Sequence, residues 1–180
     1  SEAAALFIGG SWLQDQGVPD TARWARLGRH WLEERTARLI GEDGSFSQHS
    51  LNYHRVLLDT CSMAEIWRRH LDLPTFSDRL QARVRAAADW LRHLINLTNG
   101  DGPNLGANDG ARLLPLTETP YRDYRPCLQL AMVLFAGQRA CPESGPWDDA
   151  LRWLGLSLPP ASLAAAGSIQ ADAGGYGRLP

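Results

Sequence analysis

An all-α fold is predicted by three features of the 180-residue sequence. Apolar residues recur at helical spacing in six segments, alternating strand-like stretches are almost missing, and short turns fold consecutive segments back as hairpins. The length suits one domain, whose unfolded surface would be about 70% buried on folding. Globin-like and bundle packings satisfy the same pattern.

The first helix is expected over Glu2 to Gln14, with Ser1 at its N-cap and Leu6, Trp12 and Leu13 as apolar anchors. Gly9-Gly10 lies inside it, and each Gly costs about 1 kcal/mol relative to Ala, so close packing against a neighbour or a ligand is expected. Gly17-Val18-Pro19-Asp20 is a turn, and Pro19 is suited to start the next helix. From Thr21 to Ile40, Trp24, Leu27, Trp31 and Leu39 recur at near-helical spacing, with Arg23, Arg26, Arg35 and Arg38 between them. A long helix follows from about Ser47 to His70, with Val56, Leu57, Met63, Ile66, Trp67 and Leu71 as its apolar face and Leu73-Pro74 closing it. Ser77 caps the next, whose stripe of Leu80, Val84, Ala87, Ala88, Leu91, Leu94 and Ile95 opposes Arg79, Arg83 and Arg92. Thr98 to Arg125 is rich in Asn, Gly, Asp and Pro, and is too long for an ordinary connection between helices. Pro126 opens a helix through Phe135, and Trp147 to Leu154 forms a shorter one. The helical unit is thus expected over 1–158. Residues 159–180 read as a Pro-, Ala-, Ser- and Gly-rich linker and, at Gly174-Gly175-Tyr176, the first strand of a β-rich domain.

Charge and composition narrow the function. Twenty acidic against 18 basic side chains leave a net charge of −2, which argues against nucleic-acid binding. The best apolar run, Leu128 to Ala136, is about half of what a membrane span needs, and Ser1 to Ile8 does not look like a signal peptide. Every basic residue apart from His is Arg, in keeping with a GC-rich genome. Schiff-base and phosphate-loop lysines are therefore excluded, and any anion must be met by guanidinium forks suited to carboxylates. Cys61, Cys127 and Cys141 lack metal-site spacing and read as buried apolar residues, with a Cys127–Cys141 bridge as the alternative. No HExxH, GxSxG, Walker loop or dinucleotide fingerprint occurs. His30, His70 and His93 sit singly on helices, next to carboxylates or solvent.

Three clusters could carry chemistry. Gln48 to Arg55 places seven polar or ionisable side chains at the start of the long helix, where partial positive charge and free N–H groups favour anions. If the helix begins at Ser47, Gln48, Asn52 and Arg55 project from one face, and His49 and Tyr53 form an i, i+4 pair about 6 Å apart along the axis. A solvated helix start is the plainer reading. In the second cluster, Pro103 to Arg112, Asn104, Asn108 and Asp109 could bond sugar hydroxyls while Arg112 faces a carboxylate. The plainer reading is a loop whose Asn and Gly residues tolerate left-handed backbone. The third, Tyr121 to Arg125, combines Tyr121 and Arg125 as a platform for an acidic sugar, or is an Asp–Arg pair at a helix start.

In these strings the sequence resembles the heparinase II/III-like and alginate lyase families of bacterial polysaccharide lyases. The resemblance is carried by Asp43-Gly44-Ser45-Phe46-Ser47-Gln48-His49-Ser50-Leu51-Asn52-Tyr53-His54-Arg55, by Pro103-Asn104-Leu105-Gly106-Ala107-Asn108-Asp109-Gly110, and by Tyr121 to Pro126, in that order. It implies helical hairpins forming part of an incomplete (α/α) toroid, followed by a β-sandwich. It implies β-elimination on a uronic-acid polysaccharide: a base removes the C5 proton, the sugar carboxylate is neutralised, and a Tyr exchanges a proton with the leaving oxygen. Tyr53 matches the family's catalytic Tyr by its Asn-Tyr-His context, with Asn52 and His54 beside it as the other expected catalytic residues and Gln48 as a substrate-binding one. His49, Arg55, Asn104, Asn108, Asp109, Arg112, Tyr121 and Arg125 are then expected to bind the acidic polysaccharide or oligosaccharide, and nothing here requires a cofactor or a metal.

Two departures from the family pattern are plain. An Asn-His pair expected just before the first helix is absent, as is a His belonging to the sandwich domain. The chain is therefore expected to be a lyase fragment, periplasmic or cell-surface by resemblance and nearly inactive when isolated. A saccharide-binding helical module without catalysis is one alternative. An inverting glycoside hydrolase pairing Asp109 with Asp43 or Asp123 is the other.

Overall fold

The computed structural model describes residues 1–160 and the backbone of two short strands at 169–171 and 176–178. Among the described residues six α-helices follow in order: α1 (Glu2–Asp15), α2 (Ala22–Leu39), α3 (Leu51–His70), α4 (Asp78–Leu94), α5 (Arg125–Ala136) and, after a 3-10 turn at Pro146–Asp148, α6 (Asp149–Trp153). Strands β1 (Ile169–Ala171) and β2 (Tyr176–Arg178) pair antiparallel, with Ile169 opposite Arg178. The helical class is as expected. Most of the linker read from Pro159 to Ala173, together with Gly174 and Gly175, lies outside the described residues. No helix among the described residues is long and apolar enough to cross a membrane.

Helices α1 and α2 form a tight hairpin built on two glycines. A Cβ on Gly28 would lie 2.2 Å from the backbone N of Phe7, and one on Gly10 would lie 2.5 Å from that of Ala25. Only hydrogen fits at these crossings. Gly9 meets no such neighbour, so the close approach expected of the Gly-Gly pair belongs to Gly10. The apolar anchors also differ from expectation. On α1 the buried positions are Ala4, Phe7, Gly10 and Ser11, while Trp12 is exposed. On α2 the inward face is Gly28, Leu32 and Thr36, and the periodic stripe of Trp24, Leu27, Trp31 and Leu39 is exposed. Gly10 and Gly28 face inward at the points where the two backbones meet too closely for a side chain.

Helix α3 begins at Leu51 rather than Ser47. Ser50 is its N-cap, its Oγ accepting from Tyr53 N at 3.1 Å. His49 ahead of it holds a left-handed φ of 49°, which ends any helix attempting to run through. His49 and Gln48 therefore lie outside the helix, so His49 does not stand one helical turn from Tyr53 and Gln48 does not share a helical face with Asn52 and Arg55. Ser77 caps α4 as expected, accepting from Leu80 N.

At the centre, α5 is buried on every side from Pro126 to Phe135, as a helix apolar all round must be. Gln129 is its one side-chain amide and is bonded at both ends: Nε2 donates to Asp148 Oδ1 at 2.7 Å, and Oε1 accepts from Ala140 N and Cys141 N. The three cysteines are free and buried, as small apolar residues, so the alternative Cys127–Cys141 bridge is absent. Burial pushes the Cys61 and Cys141 thiols up to about 12.

Candidate functional site

The long segment between α4 and α5 lies across the first turns of α3 and is fastened there by both backbone and side chains. Leu51 N donates to Leu105 O at 3.0 Å, and the capping Ser50 donates its own hydrogen to Ala107 O at 2.5 Å. Two sequence clusters more than fifty residues apart are thereby brought together.

At their junction Tyr53 donates its hydroxyl to Asp109 Oδ2 at 2.6 Å. Asp109 Oδ1 accepts from Asn52 Nδ2 at 3.2 Å and from Ala111 N at 3.1 Å. Asn52 can turn only one way, because Arg55, a pure donor, gives Nη2–H to its Oδ1 at 2.7 Å. Tyr121's hydroxyl stands between two amide oxygens, 2.7 Å from Asn52 Oδ1 and 2.5 Å from Asn108 Oδ1. Asn108 leans back toward Asn104 at 3.4 Å. Asn52, Tyr53, Asn108, Asp109 and Tyr121 are thus one hydrogen-bonded group, with Asn104 at its rim.

The electrostatics follow from these contacts. The bond from Tyr53, then that from Ala111, hold the Asp109 carboxyl below its ordinary range. The same bond and the charge of Asp109 push the Tyr53 phenol up. The pair is therefore a carboxylate and a phenol over the whole neutral range.

Tyr53 also opens onto a cleft of about 430 Å³ between α1, α2 and α3, lined by Gln48, Arg35, Phe46, Leu32 and Val56 among others. Gln48 is exposed at this cleft, and His49 is exposed at the turn before α3. Arg35 lies on a separate helix, and local sequence offers no signal linking it to Tyr53. Starting the helix at Ser47 misses the capping role of Ser50, although a Ser just ahead of an apolar-periodic run is an N-cap signal.

Four expected site residues are placed elsewhere. His54 is 1% exposed, its ring stacked on Trp90 at 4.6 Å and its Nε2 2.8 Å from Ala87 O. Burial lowers its pKa to about 4, so it is a neutral core imidazole that cannot reach a substrate in the cleft. Arg55 is 2% exposed, lies over the rings of Tyr121 and Tyr124, and donates to Tyr121 O and Ala111 O. It holds the loop from behind and is closed off from solvent. Arg112 donates to Thr119 O and Oγ1 within the same loop. Arg125 grips Asp123 through Nε and Nη2, bonds Leu97 O and Thr98 O, and covers the Trp147 ring.

The partners proposed for a two-carboxylate hydrolase are likewise committed. Asp123 is buried against Arg125, and Asp43 Oδ1 accepts from Ser45 N and Oγ in its own turn. No group of three or more His, Cys, Asp or Glu among the described residues could hold a metal ion. Compared with family models, curated proteins and solved structures, the chain matches none of them.

Proposed function

We propose that the chain is part of a polysaccharide lyase that cleaves a uronic-acid polymer by β-elimination, with Tyr53 as the proton-transferring residue. The supporting observation is the 2.6 Å bond from Tyr53 to Asp109 at the mouth of a cleft. It joins two strings that carry the family resemblance, and it leaves a reactive hydroxyl where a sugar could lie. In this reading the helical hairpins are part of an incomplete toroid. The first subsite lies in the cleft, with Arg35 and Gln48 facing the sugar carboxylate and hydroxyls. Neutralising that carboxylate is what makes C5–H acidic enough to leave.

Polymeric uronates supplied to the parent polypeptide should yield the ultraviolet-absorbing unsaturated uronate. Tyr53→Phe should remove nearly all of that product, at least a hundredfold if proton transfer is its role, while saccharide binding persists. Product formation undiminished in Tyr53→Phe would end the role given to Tyr53. Product without the double bond would indicate hydrolysis instead. A second reading, a saccharide-binding module, is favoured by the burial of His54 and Arg55, which leaves fewer reactive groups at the cleft. It predicts binding without any product.

A further inference from the structure

A second cleft, of about 330 Å³, lies on the α1–α2 hairpin where the turn after α3 closes against it. It stands at the small end of ligand clefts, which run from about 300 to 1,000 Å³, and so has room for one ring with a short substituent. Phe7, Leu73 and Pro74 give it apolar walls, and Ser11, Gln14 and Arg26 bring polar groups to it. Arg29 keeps its shape. The Arg29 guanidinium lies over the Phe76 ring, donates to Pro74 O at 2.6 Å and to Thr75 O, and pairs through Nε with Glu33 at 3.1 Å. The turn is thereby pinned to α2, and the charge of Arg29 is balanced.

Arg26, three residues earlier on the same helix, is not balanced. It is exposed, and its guanidinium has no hydrogen bond, ion pair or ring contact among the described residues. None of the described residues lining the cleft is acidic, so the site carries one unanswered positive charge. Ser11 supplies an independent observation. It is 4% exposed, yet its Oγ has no hydrogen-bond partner. A Ser inside a helix can give its hydrogen to the carbonyl one turn back, and a buried hydroxyl that makes no bond costs stability. The unmet donor and the unmet charge line the same small cleft, and the side-chain amide of Gln14 is also unbonded there.

We propose that this cleft binds a small monocarboxylate with an apolar body, its carboxylate taken by Arg26, Ser11 and Gln14 and its body lying against Phe7, Leu73 and Pro74. All three polar side chains can donate, as an acceptor-only carboxylate requires. A phosphate ester would bring a second charge, for which the cleft holds no free cation, and its walls suit a hydrocarbon better than a sugar. The site does not rest on the lyase reading, because it shares no described lining residue with the cleft at Tyr53.

Chemical-shift titration of the 180-residue chain with phenylacetate, and with uncharged phenylacetamide, tests the assignment. Phenylacetate should saturate, with the largest shifts at the amides of Phe7, Ser11 and Ala25. Phenylacetamide should bind about tenfold more weakly or worse, the factor that loss of a charged hydrogen bond carries. Arg26→Gln, an exposed change, should weaken phenylacetate by a similar factor. Ser11→Ala should weaken it severalfold while raising the urea midpoint of the free chain, since it removes a buried hydroxyl that bonds nothing. A Ser that only supports the fold would not move binding and stability in opposite directions. Failure of phenylacetate to saturate overturns the site, as do equal affinities for acid and amide or shifts centred on Gln48 and Tyr53. Arg26→Gln that binds like wild type overturns the role of the guanidinium, and unchanged binding in Ser11→Ala overturns that of the hydroxyl.

Discussion

Gly28 and Gly9 sit in the same hairpin and should respond oppositely to one added methyl. At Gly28 a Cβ would lie 2.2 Å from Phe7 N and 2.7 Å from Leu6 C, both rigid backbone atoms. The helices must part, and such overpacking costs about 1–3 kcal/mol. At Gly9 nothing lies within 4 Å, so Ala brings only its better helix propensity, up to about 1 kcal/mol. In urea denaturation Gly28→Ala should lower the midpoint and Gly9→Ala should raise it. Equal shifts would mean that the hairpin is not held by backbone contact. The Gly9-Gly10 pair was visible in sequence as a costly pair needing a reason. Gly28 was not, because one Gly among Arg and Trp residues carries no sign of what crosses it.

Helix α3 buries two groups whose titrations oppose each other. Burial raises the Asp59 carboxyl to about 6, against the backbone bond from Leu114 and the charges of Arg55 and Arg112. Burial lowers His54 to about 4. A raised carboxyl stabilises the fold in acid, and that contribution fades as pH rises from the unfolded value near 4 towards 6. A lowered imidazole stabilises the fold above its unfolded value near 6.5, and that contribution fades as pH falls towards 4. Across about pH 4 to 6 the two slopes have opposite signs and largely cancel. Unfolding free energy in this window should therefore be nearly flat in wild type with respect to this pair. Asp59→Asn should make the protein lose stability as pH falls, and His54→Gln should make it lose stability as pH rises. If neither variant changes the slope, burial does not set these ionisations. The same helix shows where sequence reading stops. Its existence followed from periodicity, but the face expected from Val56, Leu57, Met63, Ile66, Trp67 and Leu71 is only half-buried, and the buried side carries Leu51, His54, Arg55, Leu58, Cys61 and Ala64. Its first residue depended on the left-handed turn at His49, which periodicity does not encode. On α2, periodicity marked an apolar stripe without saying whether another element covers it. The stripe faces outward because Gly28, Leu32 and Thr36 allow the closer packing on the other side.

Over the whole molecule, the long loop between α4 and α5 is ordered by what lies beneath it. Its composition marked it as unusual, and its clusters were recognisable one by one. Their meeting was not, because Tyr53 and Asp109 stand 56 residues apart and no local pattern specifies that distance. The fastening runs through Arg55, which donates to Tyr121 O at 2.6 Å and Ala111 O at 3.1 Å and lies over the Tyr121 ring. Replacing it with Leu keeps an apolar stem in the core but leaves two loop carbonyls without their donor. It also removes one of the two guanidinium charges that favour the ionised form of Asp59. Loss of one member of such a buried network costs about 3–5 kcal/mol, and the part least supported by other packing should open first. Limited trypsin digestion reads this directly, since the chain has no Lys and Arg112 lies within the loop. Wild type should resist cleavage after Arg112, whose guanidinium is tied to Thr119. Arg55→Leu should be cut there before the helical segments are. Cleavage spread evenly over the chain would mean that Arg55 supports the whole core, and unchanged resistance would mean that the contacts of Ser50 and Leu51 suffice. Early cleavage at Arg112 alone would show that the order of the loop carrying Asp109 depends on the buried Arg55.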